Sequence, residues 1–144
     1  MLFSKGCTYA IRAAVLLTQK ETHQNHTFTP IRELAEELDL SFHFLTKIMQ
    51  ELTTAGIIES FRGPNGGVGL ARSAKEIRVL DVITAIDGTG LFTECALGLP
   101  QCDSNDPCPL HEAWSKRKAD ILKLFEQTSL DDLVKGLSKP KKKS

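Results

Sequence analysis

The chain has 144 residues, 41% of them hydrophobic and 25% charged, which is the size and composition of one globular domain able to bury a core without staples. No stretch reaches the ~18 apolar residues of a membrane span, which argues against an integral membrane protein. The formal net charge is zero, so a global basic field is excluded and any nucleic-acid contact must rest on a local patch. The zero is uneven. Residues 1–75 carry eight Lys and Arg against seven Asp and Glu, residues 76–138 six against eleven, and the last six residues four lysines. Three segments are expected: a head over 1–75, a second unit over 76–138, and a basic tail over 139–144. The tail reads as disordered, either a DNA-backbone arm or a solubilising terminus. Residues 1–17 hold Arg12 inside their apolar run and no small-residue cleavage site follows, so a cytoplasmic location is expected.

The first helix is predicted from a Ser4 cap to about Leu17, with Tyr9, Ala10, Ala13, Ala14 and Leu17 on one face. Cys7 lies in its first turn and reads as a packing residue rather than a reactive thiol. Residues 19–28 have no period and read as a loop, in which His23 and His26 are solvent-exposed rather than metal ligands. Thr29 is the expected cap of a second helix, with Pro30 at its first position and Ile31, Leu34, Ala35 and Leu38 inward. That helix stops near Asp39 and Leu40. Ser41 caps a third, with Leu45, Ile48, Met49, Leu52 and Ala55 inward and Gly56 ending it.

Two short helices joined by about three residues make a helix-turn-helix. The second leaves Ser41, His43, Thr46, Lys47 and Gln50 able to reach base edges and phosphates in a major groove. A polar outer face is also what any amphipathic helix has. The next residues favour the DNA reading. A strand over 57–61, a turn through Arg62, Gly63, Pro64, Asn65, Gly66 and Gly67, and a return strand over 68–71 form a wing directly after the recognition-type helix. Arg62 at its tip would enter a minor groove or grip phosphate. A nucleotide-binding glycine loop is the weaker reading, because no P-loop lysine follows.

A short helix over residues 79–88 ends at Gly88. Residues 90–109 have no period and read as a loop that needs tying down. From Leu110 a long helix begins, with Leu110, Trp114, Ile121, Leu124 and Phe125 in its apolar stripe. These are the candidate dimer-interface residues, in preference to a core packed on its own domain. Ser129 caps a last short helix with acids in its first turn. The fold class is therefore mostly α: a winged helix-turn-helix with a two-stranded hairpin wing and a long C-terminal dimerisation helix.

Three of the four cysteines crowd into 14 residues. The set Cys95-x6-Cys102-x5-Cys108-x2-His111 offers three thiolates and an imidazole. Iron–sulfur clusters take such ligands, and so does tetrahedral zinc. The wide gaps are unlike the paired Cys-x2-Cys knuckles of structural zinc. No nucleophile–base pairing can be placed, so an enzyme is not expected.

Ser4-Lys5-Gly6, Tyr9-Ala10, Arg12-Ala13, Ile31-x2-Leu34-Ala35, Ser41-x3-Leu45, Leu52-x3-Gly56-Ile57-Ile58, Arg62-Gly63-Pro64-x-Gly66-Gly67 and Val82-Ile83-x2-Ile86-Asp87-Gly88 resemble the Rrf family of bacterial winged helix-turn-helix regulators, the family of IscR and NsrR. The resemblance spans about residues 2–135 and includes the three-cysteine loop. It implies a homodimeric regulator, expected to be a repressor, that binds double-stranded DNA under the control of an iron–sulfur cluster. It implies Cys95, Cys102 and Cys108 as ligands, with His111 where IscR-type members place the fourth ligand of a 2Fe–2S cluster. Where NsrR-type members use an acid from the partner to hold a 4Fe–4S cluster, this chain has Thr8. Another relative's histidine is replaced by Arg12. The resemblance thus favours 2Fe–2S over 4Fe–4S, with Cys7 the other candidate fourth ligand. The first cysteine gap is one residue longer than in IscR-type members. Thr46 stands where they have an acid that governs site selection. Two alternatives remain: a cluster-free winged-helix regulator sensing a thiol state or metabolite, and an iron–sulfur or zinc protein that does not act on DNA.

Overall fold

The computed structural model describes residues 2–23 and 28–137. Its elements are α1 (Lys5–His23), α2 (Ile31–Leu38), α3 (Phe42–Thr54), β1 (Ile58–Phe61), β2 (Gly67–Leu70), α4 (Val79–Asp87), α5 (Gly90–Thr93), α6 (His111–Gln127) and α7 (Leu130–Gly136). The fold is mostly helical with a two-stranded antiparallel wing, as the periodicity predicts. His26 and the basic tail lie outside the described residues, as does the side chain of His23.

The expected stripes do the packing. Ala10, Ala13, Ala14 and Leu17 of α1 meet Leu34, Ala35 and Leu38 of α2 and Leu45, Ile48, Met49 and Leu52 of α3 in one core. Ile77, Val82 and Leu130 belong to that same core, so α4 and α7 complete the head. Ala55, expected inward, is exposed at the end of α3. Asp39 ends α2 in the left-handed region, at φ 57°. Ser41 then caps α3 by accepting the Phe44 N–H, which fixes the turn between the two helices. Gly56, just past the end of α3, has φ +76°, where a side chain is disfavoured.

The helix α1 runs six residues past Leu17, through part of the expected loop. The polar run there is not a solvated segment. Thr18, Gln19 and Lys20 are buried, and the Lys20 Nζ reaches Glu37 at 2.7 Å and Glu33 at 3.4 Å on α2. Two carboxylates let a lysine occupy a helix–helix contact, and that contact hides the apolar period.

Thr29 does not cap α2; that position is Pro30. The Thr29 backbone instead pairs in both directions with Val68 of the wing, at 2.9 and 2.8 Å. The wing thus gains a third short rung and is locked to the start of the helix-turn-helix. Gly67 makes this approach possible, since a Cβ there would lie 2.2 Å from the Thr29 carbonyl oxygen.

The second half returns to the head at both ends. Asp87 at the end of α4 accepts from the Ser4 backbone N–H and hydroxyl at the start of α1. Residues 77–79 and 128–130 exchange backbone bonds, Val79 N to Thr128 O and Leu130 N to Ile77 O, each at 2.9 Å. Ser129 caps α7 as expected, and with Asp132 it forms a capping box.

Candidate metal centre and DNA interface

The three cysteines converge. Their Sγ atoms all lie within 4.8 Å of one another, and Cys95 and Cys108 are 3.5 Å apart. His111 joins them, with its Nδ1 3.4 Å from the Cys102 Sγ. All four side chains are half-buried.

Local turns build this convergence. The run expected to be a loop begins with α5, one turn of helix that delivers Cys95. The carbonyl of Glu94, the residue before it, accepts from the Trp114 indole N–H at 3.2 Å and the Lys118 Nζ at 3.3 Å, both on α6. Trp114, a candidate dimer residue, therefore pins the entry of the cysteine loop within its own protomer. The Gly98 N–H donates to the Cys95 carbonyl, and Gly98 takes φ +71°, turning the chain tightly round that cysteine. Asp103 Oδ1 accepts the N–H groups of Asn105 and Asp106, each at 2.8 Å, a side-chain-closed turn that sends the chain back. Cys108 then precedes α6, and the His111 N–H donates to its carbonyl.

The electrostatics of the thiols differ. The Cys95 thiol is pulled down to about 7 by the backbone N–H groups of Leu99 and Leu97. At Cys102 the backbone of Cys108 acts the same way, but desolvation and the neighbouring thiols outweigh it and the pKa rises. Backbone donors around sulfur stabilise thiolates, the form in which cysteine binds metal.

Cys7 belongs to a different environment. It is fully buried against Val79 and Ile83, with Phe3 and Phe125 beside them. Desolvation, followed by the charge and hydrogen bond of Asp87, pushes it up to about 12. A thiol so placed is a packing residue, as its position in the first helix suggested. Its side chain faces the core of its own protomer, which argues against service as a ligand to a partner's metal.

In the head, His43, Lys47 and Gln50 lie exposed along the outer face of α3, with Thr46 half-buried among them. The Thr46 hydroxyl donates to the Phe42 carbonyl at 2.7 Å, leaving only its acceptor capacity for a partner. Phe42 and Phe44 flank this face and remain partly exposed, and sequence reasoning missed both. The Arg32 guanidinium of α2 sits 4.7 Å from the centre of the Phe42 ring, and Phe44 packs edge-on against Tyr9. The signal was available: two aromatics in the first turn of α3, off its inward stripe. The tip of the wing is the turn from Gly63 through Pro64 and Asn65 to Gly66, closed by Gly66 N–H to Gly63 carbonyl at 3.0 Å. Arg62 stands exposed on its shoulder rather than at the tip. Gly66 has no room for a side chain, since a Cβ would lie 2.2 Å from the Phe61 carbonyl oxygen.

No residue of α6 is fully buried. Leu110 and Leu124 are 47% and 58% exposed. Ile121 is half-buried, and Phe125 packs on Phe3 with ring centres 5.5 Å apart.

A winged helix-turn-helix joined to a thiol-rich loop can be compared with known proteins. The sequence model of the Rrf2 family, described as an iron-dependent transcriptional regulator, matches residues 3–136. The chain belongs to the Rrf2 family. It is 32% identical to the transcriptional regulator IscR of Xenorhabdus nematophila over 135 residues, covering 94% of this chain and 79% of that protein. It is 29% identical to the transcriptional regulator NsrR of Oceanobacillus iheyensis over 137 residues, covering 94% of this chain and 91% of that one. The solved structure of IscR from T. potens superposes with a TM-score of 0.75 at 25% identity, covering 97% of this chain and 92% of that one. This Rrf2 chain is thus a transcriptional regulator of a DNA-binding family, not an enzyme. Among the described residues, no helix is long and apolar enough to cross a membrane.

Proposed function

We propose that the protein is a homodimeric, cytoplasmic repressor whose operator binding is set by an iron–sulfur cluster held by Cys95, Cys102, Cys108 and His111. The observation that carries this reading is the convergence of three thiols and one imidazole on a loop that joins two helices. The donor set fits the group: thiolates are what such clusters require, and an imidazole replaces thiolate in some 2Fe–2S centres. Thr8 and Arg12, which stand where relatives place other ligands, are poor iron ligands, and Cys7 is buried; this supports His111 as the fourth ligand and 2Fe–2S over 4Fe–4S. When bound, the cluster supplies a redox-active centre labile to oxygen, nitric oxide and iron scarcity.

The protein's part is mechanical. Cys95 enters from α5, while Cys108 and His111 sit at the start of α6. Ligation would therefore tie the two ends of the loop together beside the Glu94 carbonyl that Trp114 and Lys118 already hold. The helix α6 packs on α4, and α4 packs on the recognition helix α3. A change in how the loop sits on α6 is thereby coupled to how α3 is presented. Exposed Leu124 of α6, with Leu110 just before the helix, supports a role for α6 as the dimer element, which would pair two heads on adjacent half-sites. Within each head, His43, Thr46, Lys47 and Gln50 would face the major groove beside the Ser41 cap. Arg62 and the Gly63, Pro64, Asn65 and Gly66 turn would meet the backbone or minor groove.

The test is anaerobic purification with the visible absorption spectrum, iron and sulfide counted per chain, and His111→Ala in parallel. About two iron and two sulfide per chain, with a spectrum altered by His111→Ala, is the expected result. Nearer four iron, indifferent to His111, points to a 4Fe–4S centre with another ligand. Zinc in place of iron, or no metal after reconstitution, overturns the cluster reading and leaves a winged-helix regulator with another signal.

A further inference from the structure

The three cysteines are not equivalent, and their inequality points beyond metal binding. Cys95 and Cys108 have their sulfurs 3.5 Å apart, in van der Waals contact, and belong to two arms of one loop. The Cys102 sulfur lies within 4.8 Å of both, but it also accepts the Cys108 N–H at 3.3 Å and faces the His111 Nδ1 at 3.4 Å. A cleft of about 470 Å³, walled by Leu99, Pro100, Pro107 and Pro109, opens onto Cys102 and Cys108. Cys95 lies outside that lining but borders a second cleft, of about 330 Å³, with Cys102.

We propose that Cys95 and Cys108 form a dithiol that hydrogen peroxide converts to an intrachain disulfide whenever the loop holds no iron. Peroxide reaches the loop through these clefts and meets one of the two sulfurs. The O–O bond breaks, one oxygen stays on sulfur as a sulfenic acid, and the other leaves as water. The other sulfur then displaces the sulfenic oxygen as a second water. Two thiols and one peroxide become one disulfide and two waters, with two electrons passing from sulfur to oxygen. An S–S bond of about 2.05 Å needs the sulfurs to close by about 1.5 Å, which the turns around Gly98 and Asp103 can absorb without moving a long helix. The bridge closes a 14-residue segment and removes two of the three thiolates a cluster needs. Oxidised apo-protein is then refractory to iron until it is reduced. The bridge itself rests on the sulfur geometry alone; its regulatory consequence rests on the cluster reading.

The experiment compares cluster-free protein kept anaerobic with the same protein treated with peroxide. Thiols are alkylated under denaturing conditions and the peptides mapped. Peroxide is expected to lower the four alkylatable cysteines to two, with a Cys95–Cys108 peptide in wild type and in Cys102→Ser. Both Cys95→Ser and Cys108→Ser should lack it. Iron and sulfide uptake on reconstitution should fall after peroxide and return after dithiothreitol. Four free thiols after peroxide, a bridge that includes Cys102, or a bridge between chains would overturn the proposal. Wild-type mapping alone decides it if a variant misfolds. If the protein takes up no iron under any condition, the mapping still reads the bridge, and only the cluster reading fails.

Discussion

The head and the cysteine-loop half are held together by different means. In the head, apolar side chains from α1, α2, α3, the wing, α4 and α7 share one core, and residues such as Leu34, Leu45 and Leu52 are wholly out of water. In the segment from α5 through α6, no helix has a fully buried residue. Its order comes from the partial burial of Phe92 and Phe125 against Cys7, Val79 and Ile83 and from side-chain-to-backbone bonds at Glu94, Cys95 and Asp103. Burial gives the head a stability that needs no ligand. Hydrogen bonds exposed to water give the loop little, which is the energetic setting in which a bound group or a covalent link can decide conformation.

The largest expected effect tests that contrast directly. Leu45→Ala should destabilise the chain by about 3 kcal/mol in urea unfolding, since a fully buried leucine leaves a cavity. Cys108→Ser in the loop should shift unfolding of metal-free protein by less than about 0.5 kcal/mol yet abolish iron uptake. Equal destabilisation by the two would show that the loop is part of the cooperative core and would end the comparison. Next in size is Gly67→Ala. Its Cβ would strike the Thr29 carbonyl, so a loss of about 2 kcal/mol is expected. Weaker DNA binding should accompany it, because the rung that holds the wing to α2 would open.

The same contrast explains what was legible in the sequence. The helix-turn-helix could be read because Leu34, Leu38, Leu45 and Leu52 keep a helical period and Ser41 is a strong cap. The wing could be read because Gly63 to Gly67 punctuate two short strands. Where a long-range contact overrides a local signal, the reading went astray. Lys20 looks solvated until Glu33 and Glu37 of another helix are brought to it. Thr29 looks like a cap until Val68 claims its backbone. In the loop, the spacing of Cys95, Cys102, Cys108 and His111 marked the donors. The turn at Gly98 and the anchoring of Glu94 by Trp114 could not be read, because they depend on where α6 lies.

The wing gives a smaller and purely functional test. Arg62→Ala removes an exposed guanidinium from the shoulder of the wing, so unfolding should be unchanged. Affinity for all duplexes should fall by about tenfold, and the slope of binding against salt by about one. Lys47→Ala on α3 should alter sequence preference more than overall affinity. A change in sequence preference on loss of Arg62 would move it from phosphate or minor-groove contact to base readout.

The smallest expected effect concerns the seam between the two regions. The chain leaves α6 and re-enters the core at Ser129, whose hydroxyl accepts the Asp132 N–H while the Asp132 carboxylate accepts the Ser129 N–H, both at 3.0 Å. Ser129→Ala should cost about 1 kcal/mol, the usual loss of a helix cap. Hydrogen bonds from the Ser129 backbone and hydroxyl hold the Asp132 carboxyl below its ordinary value of 3.8. A carboxylate lowered in the folded state contributes fully above its unfolded pKa and loses that contribution as pH falls through the folded one. Stability at the seam should therefore be flat above about pH 5 and decline below 3.8, and Asp132→Asn should flatten that acid limb. Because Leu130 and Val134 are buried in the head, the loss should appear in global unfolding. If it appears only as faster hydrogen exchange in α6, the seam belongs to the loop half and the boundary between the two regions lies after α7 rather than before it.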